Sequence, residues 1–511
     1  MTAERKAQPR RAAVVTAAFV AVAAAILAVQ VLIPPIVGVA NNGDFEKVLG
    51  YAGLDYFSDK YEDRYQTHIV REFRFREVWY RSGYVTSETL LAIAARQLAK
   101  PLSPAGRFDI RVLGALHSVL FLIGLGTMLW AAGRLGTPAQ LTAATLLTFF
   151  FTDVGYVQYF NSFYSQTASL LFFLLMVGLS ALAIRQSKLE GWLLIALVLA
   201  AVAFVGSKPQ ESIHGPLVAL WLLRLAGMSA YGWRKTRGFL LALGLCAFSI
   251  WYYRATPGWL IRKVALYQTV FSEMLPTSAD PAKDLRALGL DPALARYSGT
   301  NAYMPGSPVQ EDWFEKAYFD RIGYRTILLF YAMRPGRFLE RLDRAARIGG
   351  LELRPADMGN LEKTDPRYRP GAMTDEWTSW TKLRRRLAPF ATPALGLFLL
   401  GNLTAATLAW RRARGPARLL WEGIAFLVGI ATLEFLVCAL ADGIGSAARH
   451  LFVFHAACDL LLAADAAWLV AAATRRLRAD RPGPRRRLTR AWTERVPSDA
   501  DDGRLSRCSS S

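Results

Sequence analysis

Long apolar stretches separated by short polar breaks run through most of the chain. About ten of them approach the length of a membrane-crossing helix: residues 13–36, 109–132, 138–152, 166–184, 189–206, 214–228, 238–254, 388–410, 419–440 and 450–473. They predict an all-α polytopic membrane protein. Two polar stretches, roughly 37–108 and 255–387, interrupt the series and exceed the length of ordinary connectors. In the first, Ile69 to Tyr80 alternates, with Phe73 and Phe75 opposed to Arg74 and Arg76, which predicts a strand. Thr86 then sits as an N-cap before a helix through Lys100, with Leu90, Leu91, Ala94, Ala95 and Leu98 on one side. Such a helix is expected to lie along a membrane surface. The second stretch mixes turn signals, such as Thr256-Pro257-Gly258 and Met304-Pro305-Gly306-Ser307-Pro308, with helical runs such as 311–349.

The chain therefore divides into an N-terminal tail and first span (1–36), a first loop (37–108), spans two to seven (109–254), a large second loop (255–387), three further spans (388–474) and a basic tail (475–511). The tail is rich in Arg, Ser and Asp and is expected to be disordered. Arg5, Lys6, Arg10 and Arg11 precede the first apolar stretch, and Gly38-Val39-Ala40 resembles a signal-peptidase site. The stretch has the length of a span rather than of a signal core, so an uncleaved anchor is expected.

Composition agrees: 53% of residues are hydrophobic and the mean hydropathy is +0.22, which fits spans carrying sizeable polar loops. The net charge of +21 changes the picture only through its placement. With the N-terminus in the cytoplasm, the cytoplasmic breaks hold Arg134; Arg185 and Lys188; Arg224, Arg234, Lys235 and Arg237; Arg411, Arg412, Arg414 and Arg418; and the tail from Arg475. The short outside connections hold only Lys208 and Arg449. The positive-inside rule thus puts both termini in the cytoplasm and both large loops outside. The charge reads as topology, and nucleic acid is not an expected partner. The run from His68 to Arg81 instead suits acidic glycan or lipid head groups. Neither large loop contains a cysteine, so both must fold without disulfides.

Candidate chemistry gathers at the outside connections. Asn41-Asn42-Gly43-Asp44 follows the first span. An acidic group there can deprotonate a hydroxyl that attacks a lipid-borne substrate. The same tetrapeptide also suits an interfacial turn, with Asp44 capping a helix that begins at Phe45. Residues 153–166 are polar-aromatic without a basic residue and include Asn161, Tyr164 and Gln166. Rings and amides suit carbohydrate, and an aromatic belt is the other reading. Lys208 and Arg449 suit a phosphate, with His450 as a further donor. A Lys208–Glu211 surface pair is the alternative for the lysine. Glu434 lies inside a span with no evident partner. There is no Walker lysine, dinucleotide glycine fingerprint, His-x-x-x-His or cysteine pair, so no cofactor and no metal are expected.

Several stretches together resemble a known family. They are Asn41-Asn42-Gly43-Asp44-Phe45, Tyr159-Phe160-Asn161-Ser162-Phe163-Tyr164-Ser165, Ser207-Lys208-Pro209-Gln210 and Ala448-Arg449-His450-Leu451-Phe452, with Leu288-Gly289-Leu290-Asp291-Pro292 and Ser298-Gly299-Thr300 in the second loop. The set is similar to bacterial membrane glycosyltransferases of the GT-C fold class, especially the hexose transferases of cell-surface glycan biosynthesis. The resemblance implies a polyprenyl-phosphate sugar donor, a glycan or glycolipid acceptor, and transfer at the outer face of the bacterial cytoplasmic membrane. It implies Asp44 as the general base. Lys208, Arg449 and His450 would hold the donor phosphate, and Asn42, Asn161, Tyr164, Gln166 and Glu211 would contact sugar or acceptor. Gln166 departs from the pattern, which leads one to expect glutamate there. Two other classes share these features: a flippase or exporter of lipid-linked glycan, and a polysaccharide polymerase.

Overall fold

The computed structural model describes residues 3–78, 85–103, 106–228, 232–256, 258–356, 358–441 and 447–479. The chain is an all-α polytopic membrane protein. Seven helices are long and apolar enough to cross a bilayer: Gln8–Leu32, Arg111–Leu135, Ser165–Gln186, Lys235–Ala255, Ser379–Arg412, Pro416–Ala441 and Phe452–Leu477. The other three predicted spans are helical but short: Thr137–Phe151 and Gly191–Val205 have 15 residues each and Gly215–Ala226 has 12. Asp153 cuts the first of these off by capping a new turn, and Gly206 and Pro209 end and restart the chain between the other two.

The helices bury their faces pairwise. Arg111–Ala132 runs along Ser165–Gln186, and Phe452–Ala479 packs on Thr137–Phe151 and Pro416–Ala441. Small residues set the closest approach: a Cβ on Gly178 would meet the Gly124 carbonyl at 3.0 Å. Large apolar side chains such as Ile195, Leu199, Leu397 and Leu400 point outward, where lipid replaces protein as their solvent.

In the first loop, strands β1 (Leu54–Asp55), β2 (Glu72–Phe75) and β3 (Arg107–Asp109) form an antiparallel sheet in the order β1-β2-β3. Phe73 pairs with Phe108, and Leu54 with Phe75. The predicted strand is therefore real but ends at Phe75. Its short partner β1 offers no further ladder, although Arg74 and Arg76 both reach Asp55 at 2.7 Å. Residues 79–84, within or just beyond the predicted strand, lie outside the described residues. So do 442–446, Pro257 and the tail from 480.

The helix predicted after Thr86 runs Ser87–Ala99, and Thr86 caps it by accepting from Thr89 N at 3.1 Å. The expected apolar side is divided between inside and outside. Ala92, Ala95 and Ala99 pack inward, while Leu90 and Leu98 stay 60% and 55% exposed. Small residues allow close packing inward, and the leucines face out.

The two loops form one unit. Gly359 donates to the Gln66 carbonyl at 2.8 Å and accepts from Ala40 N at 2.9 Å, and Ile69 N reaches the Leu361 carbonyl at 3.0 Å. Glu362 accepts from Ile36 N at 2.8 Å. Behind this seam the Asn161 amide donates to the carbonyls of Val31 and Val37, at 3.0 and 2.8 Å. Gly114 leaves the space Asn161 needs, since a Cβ there would collide with Asn161 Oδ1 and Val31. Gly114→Ala should therefore destabilise the protein by about 1–3 kcal/mol through overpacking. Gly396→Ala, whose Cβ meets nothing, should not lower stability. Thermal unfolding of the two variants in detergent checks the contrast.

Candidate functional site

The turn after the first span is built by its asparagines. Gly43 adopts φ +104°, which a side chain would strain. Asn41 Oδ1 accepts from Gly43 N at 2.8 Å and Phe45 N at 3.0 Å, and Asn41 Nδ2 donates to the Tyr56 hydroxyl at 2.9 Å. Asn41 thus satisfies the amides ahead of helix Glu46–Ala52, and Asp44 is not the cap. Phe45 locks the turn by packing edge-on against Phe163 and Tyr164, 5.4 and 4.9 Å between centroids.

The Asp44 carboxylate is left to face cations. Its Oδ1 lies 2.6 Å from Lys47 Nζ, and its Oδ2 lies 2.8 Å from Arg449 Nη1. The Arg449 side chain is only 7% exposed, against 35% for Asp44. Burial alone would raise the Asp44 carboxyl, but the charges and hydrogen bonds of Lys47 and Arg449 outweigh it and hold it well below the usual carboxylate range. Burial likewise opposes the Arg449 charge, and Asp44 more than restores it. The Arg449 guanidinium also sits 5.4 Å from the centroid of the Tyr164 ring. The Tyr164 hydroxyl accepts from Asn42 N at 3.0 Å and lies 2.9 Å from Asn42 Oδ1. Burial keeps that phenol protonated.

His450, the next residue, joins this group to the Lys208 connection. Lys208 Nζ lies 3.5 Å from His450 Nδ1 and donates to Gln210 Oε1 at 2.7 Å. Gln210 Nε2 donates to the His450 carbonyl and to Glu434 Oε1, both at 2.8 Å. Asn42, Asp44, Tyr164, Lys208, Arg449 and His450 are thus one connected cluster. No ion pair joins Lys208 to Glu211 among the described residues. A cavity of about 310 Å³ lies nearby between the two loops, lined in part by Tyr56, His68, Arg71, Glu362 and Lys363. Neither Asp44 nor Arg449 lines it.

Three expected contacts fall elsewhere. Asn161 is fully buried with both donors on backbone carbonyls, so it holds the seam instead of meeting a sugar. Gln166 is buried in the first turn of Ser165–Gln186, and no hydrogen bond among the described residues ties it to the cluster. Glu211 is 2% exposed and turns inward to Ser169, His214 and Glu434. Lys47, Gln210 and His214 are additions that the sequence reading missed. Lys47 stands one helical turn from Asp44, and Glu211 and His214 share an i,i+3 spacing, both visible in the chain.

Comparison with known families bears on the same residues. The model of the YfdI N-terminal transmembrane domain matches residues 4–487. The chain belongs to that family. The region shared with the YfdI family takes in every residue of the cluster, from Asn41 to His450. No curated protein and no solved structure shows a significant match. Within this YfdI-family chain the Asp44–Arg449 pair has a defined pH signature. A carboxyl depressed on folding contributes stability above its unfolded value, about 3.9, and loses it as pH falls toward the folded value. The stability difference between the protein and Asp44→Asn should therefore stay constant from about pH 8 to 5 and close only below about pH 4. Unfolding curves of both proteins across that range test it.

Proposed function

We propose that this protein is a membrane glycosyltransferase. It moves a hexose-type sugar from a polyprenyl-phosphate donor to a cell-envelope glycan or lipid-linked acceptor on the extracytoplasmic face. The observation that carries this reading is the convergence of one carboxylate, Asp44, with Arg449, Lys208 and His450 at connections beyond the apolar spans. A base and a phosphate-binding group side by side are what sugar transfer from a lipid phosphate needs. Membership of a membrane-domain family and the sequence resemblance to GT-C enzymes support the same class.

In the proposed reaction the donor phosphate competes with Asp44 for Arg449 and takes Lys208 as its second cation. Two cations on its oxygens stabilise the charge that builds as it departs. Asp44, relieved of Arg449, becomes more basic and faces the acceptor hydroxyl. The hydroxyl proton passes to Asp44, its oxygen bonds to the anomeric carbon, and the carbon–oxygen bond to phosphate breaks with the electron pair leaving on phosphate. Configuration inverts. Asn42, which accepts from the Tyr164 hydroxyl beside Arg449, would meet the sugar or acceptor.

Asp44→Asn should lower transfer of labelled hexose from polyprenyl phosphate by about 100-fold or more. Arg449→Ala and Lys208→Ala should each weaken it as well. The assay is best run on purified protein in detergent with donor and acceptor. An enzyme transfers sugar there without a membrane barrier, whereas a flippase or exporter does not. Full activity of Asp44→Asn would reject the assignment.

A further inference from the structure

Beneath the Lys208–His450 contact lies a second cluster that the proposed transfer does not use. Glu211 and His214 come from the connection between Gly191–Val205 and Gly215–Ala226, and Glu434 reaches them from helix Pro416–Ala441. Their exposures are 2%, 0% and 1%. One ligand atom from each lies within 4.8 Å of the other two.

Hydrogen bonds fix how these groups point. Glu211 Oε1 accepts from Ser169 Oγ at 3.2 Å, and Glu434 Oε1 accepts from Gln210 Nε2 at 2.8 Å. Each carboxylate is anchored by one oxygen and turns the other inward. His214 meets acceptors at both ring nitrogens. Nδ1 lies 3.3 Å from the Glu211 carbonyl and 3.8 Å from Glu211 Oε2, while Nε2 lies 3.4 Å from Glu434 Oε2. The Ile430 carbonyl is a further acceptor at this ring. A neutral imidazole has one N–H and can satisfy one side only. Glu211 Oε2 and His214 Nε2 have no hydrogen-bond partner among the described residues.

Two carboxyl groups and an imidazole thus converge in a buried space, with Glu211 Oε2 and His214 Nε2 aimed into it. A buried polar atom left without a hydrogen bond is unfavourable. A divalent cation would turn these inward lone pairs into bonds. With Nδ1–H on the Glu211 carbonyl, Nε2 is the free ligand atom. Ser169 and Gln210 are then the outer hydrogen bonds that orient metal ligands.

We propose that Glu211, His214 and Glu434 bind one divalent transition-metal cation. An imidazole with two carboxylates suits Zn²⁺ or Mn²⁺ better than Ca²⁺, which takes oxygen ligands alone. The cation ties helix Pro416–Ala441 to the Lys208 connection, and Gln210 transmits that tie to Lys208 and His450. It is a positioning element and does not depend on the transferase assignment.

The test uses the full chain purified in detergent, stripped with EDTA and then offered Zn²⁺ or Mn²⁺. After gel filtration, elemental analysis should find about one equivalent of one of these metals per chain. That metal should raise the unfolding temperature. His214→Gln and Glu434→Gln should lose both effects, whereas Asp44→Asn should keep them while losing transfer. Metal retained equally by wild type and both cluster variants would overturn the site. If the variants fail to fold, the wild-type titration decides: no retained metal and no thermal shift with either ion overturns the proposal.

Discussion

Asp44 and Arg449 stand 405 residues apart, and their 2.8 Å contact brings the first loop onto the start of the last helix. The guanidinium is nearly buried, so it needs a counter-charge to remain there. Asp44 supplies it from a turn that Asn41, Gly43 and Phe45 hold rigid. Everything else at the site is arranged from this pair. Tyr164 lies under the guanidinium and bonds the Asn42 backbone, and His450 carries the connection to Lys208. In the proposed reaction the pair is also what would let Asp44, a strong acid at rest, act as a base. At rest its proton affinity is suppressed by two cations, and a phosphate that draws Arg449 away would restore it.

Two polar layers therefore meet at the Lys208 connection, and they differ in accessibility. The outer layer is partly exposed at Asp44, whose pairs with Lys47 and Arg449 a charged ligand could exchange. The inner layer is buried and fixed by Ser169, Gln210 and backbone carbonyls. Ionisable groups at such depth are costly in a membrane protein and tend to be retained for function. Gln210 belongs to both layers, since its amide nitrogen reaches Glu434 and its oxygen accepts from Lys208. A change in the inner layer would be felt as a displacement of Lys208.

Hydrophobic patterning predicted every helix of the bundle, because lipid and neighbouring helices both demand apolar faces. Three of the predicted spans, 138–152, 189–206 and 214–228, form helices of only 15, 15 and 12 residues, bounded by the polar turns at Asp153 and Gly206-Ser207-Lys208-Pro209. Lys208 and Arg449 were legible for a different reason: they defy the charge bias expected of short outside connections, and both side chains have partners in the cluster. Asn161 shows the limit. Its composition-rich surroundings announced polar contacts, but whether an amide faces a cavity or a backbone carbonyl depends on Val31 and Val37, 130 and 124 residues away. The apolar side of Ser87–Ala99 is divided for a similar reason: Ala95 packs inward with Ala92 and Ala99 while Leu90 and Leu98 stay exposed, and only the neighbours decide which positions are inside. His214 and Glu434 required the same long-range information, although the Glu211–His214 spacing was local.

The most direct test of the central claim is a structure in lipid nanodiscs with a non-transferable polyprenyl-phosphate sugar analogue bound. Arg449 and Lys208 should then contact phosphate oxygens, and the Asp44–Arg449 bond should be open, with Asp44 facing the acceptor side of the sugar. An analogue bound elsewhere, with the 2.8 Å pair intact, would contradict the account.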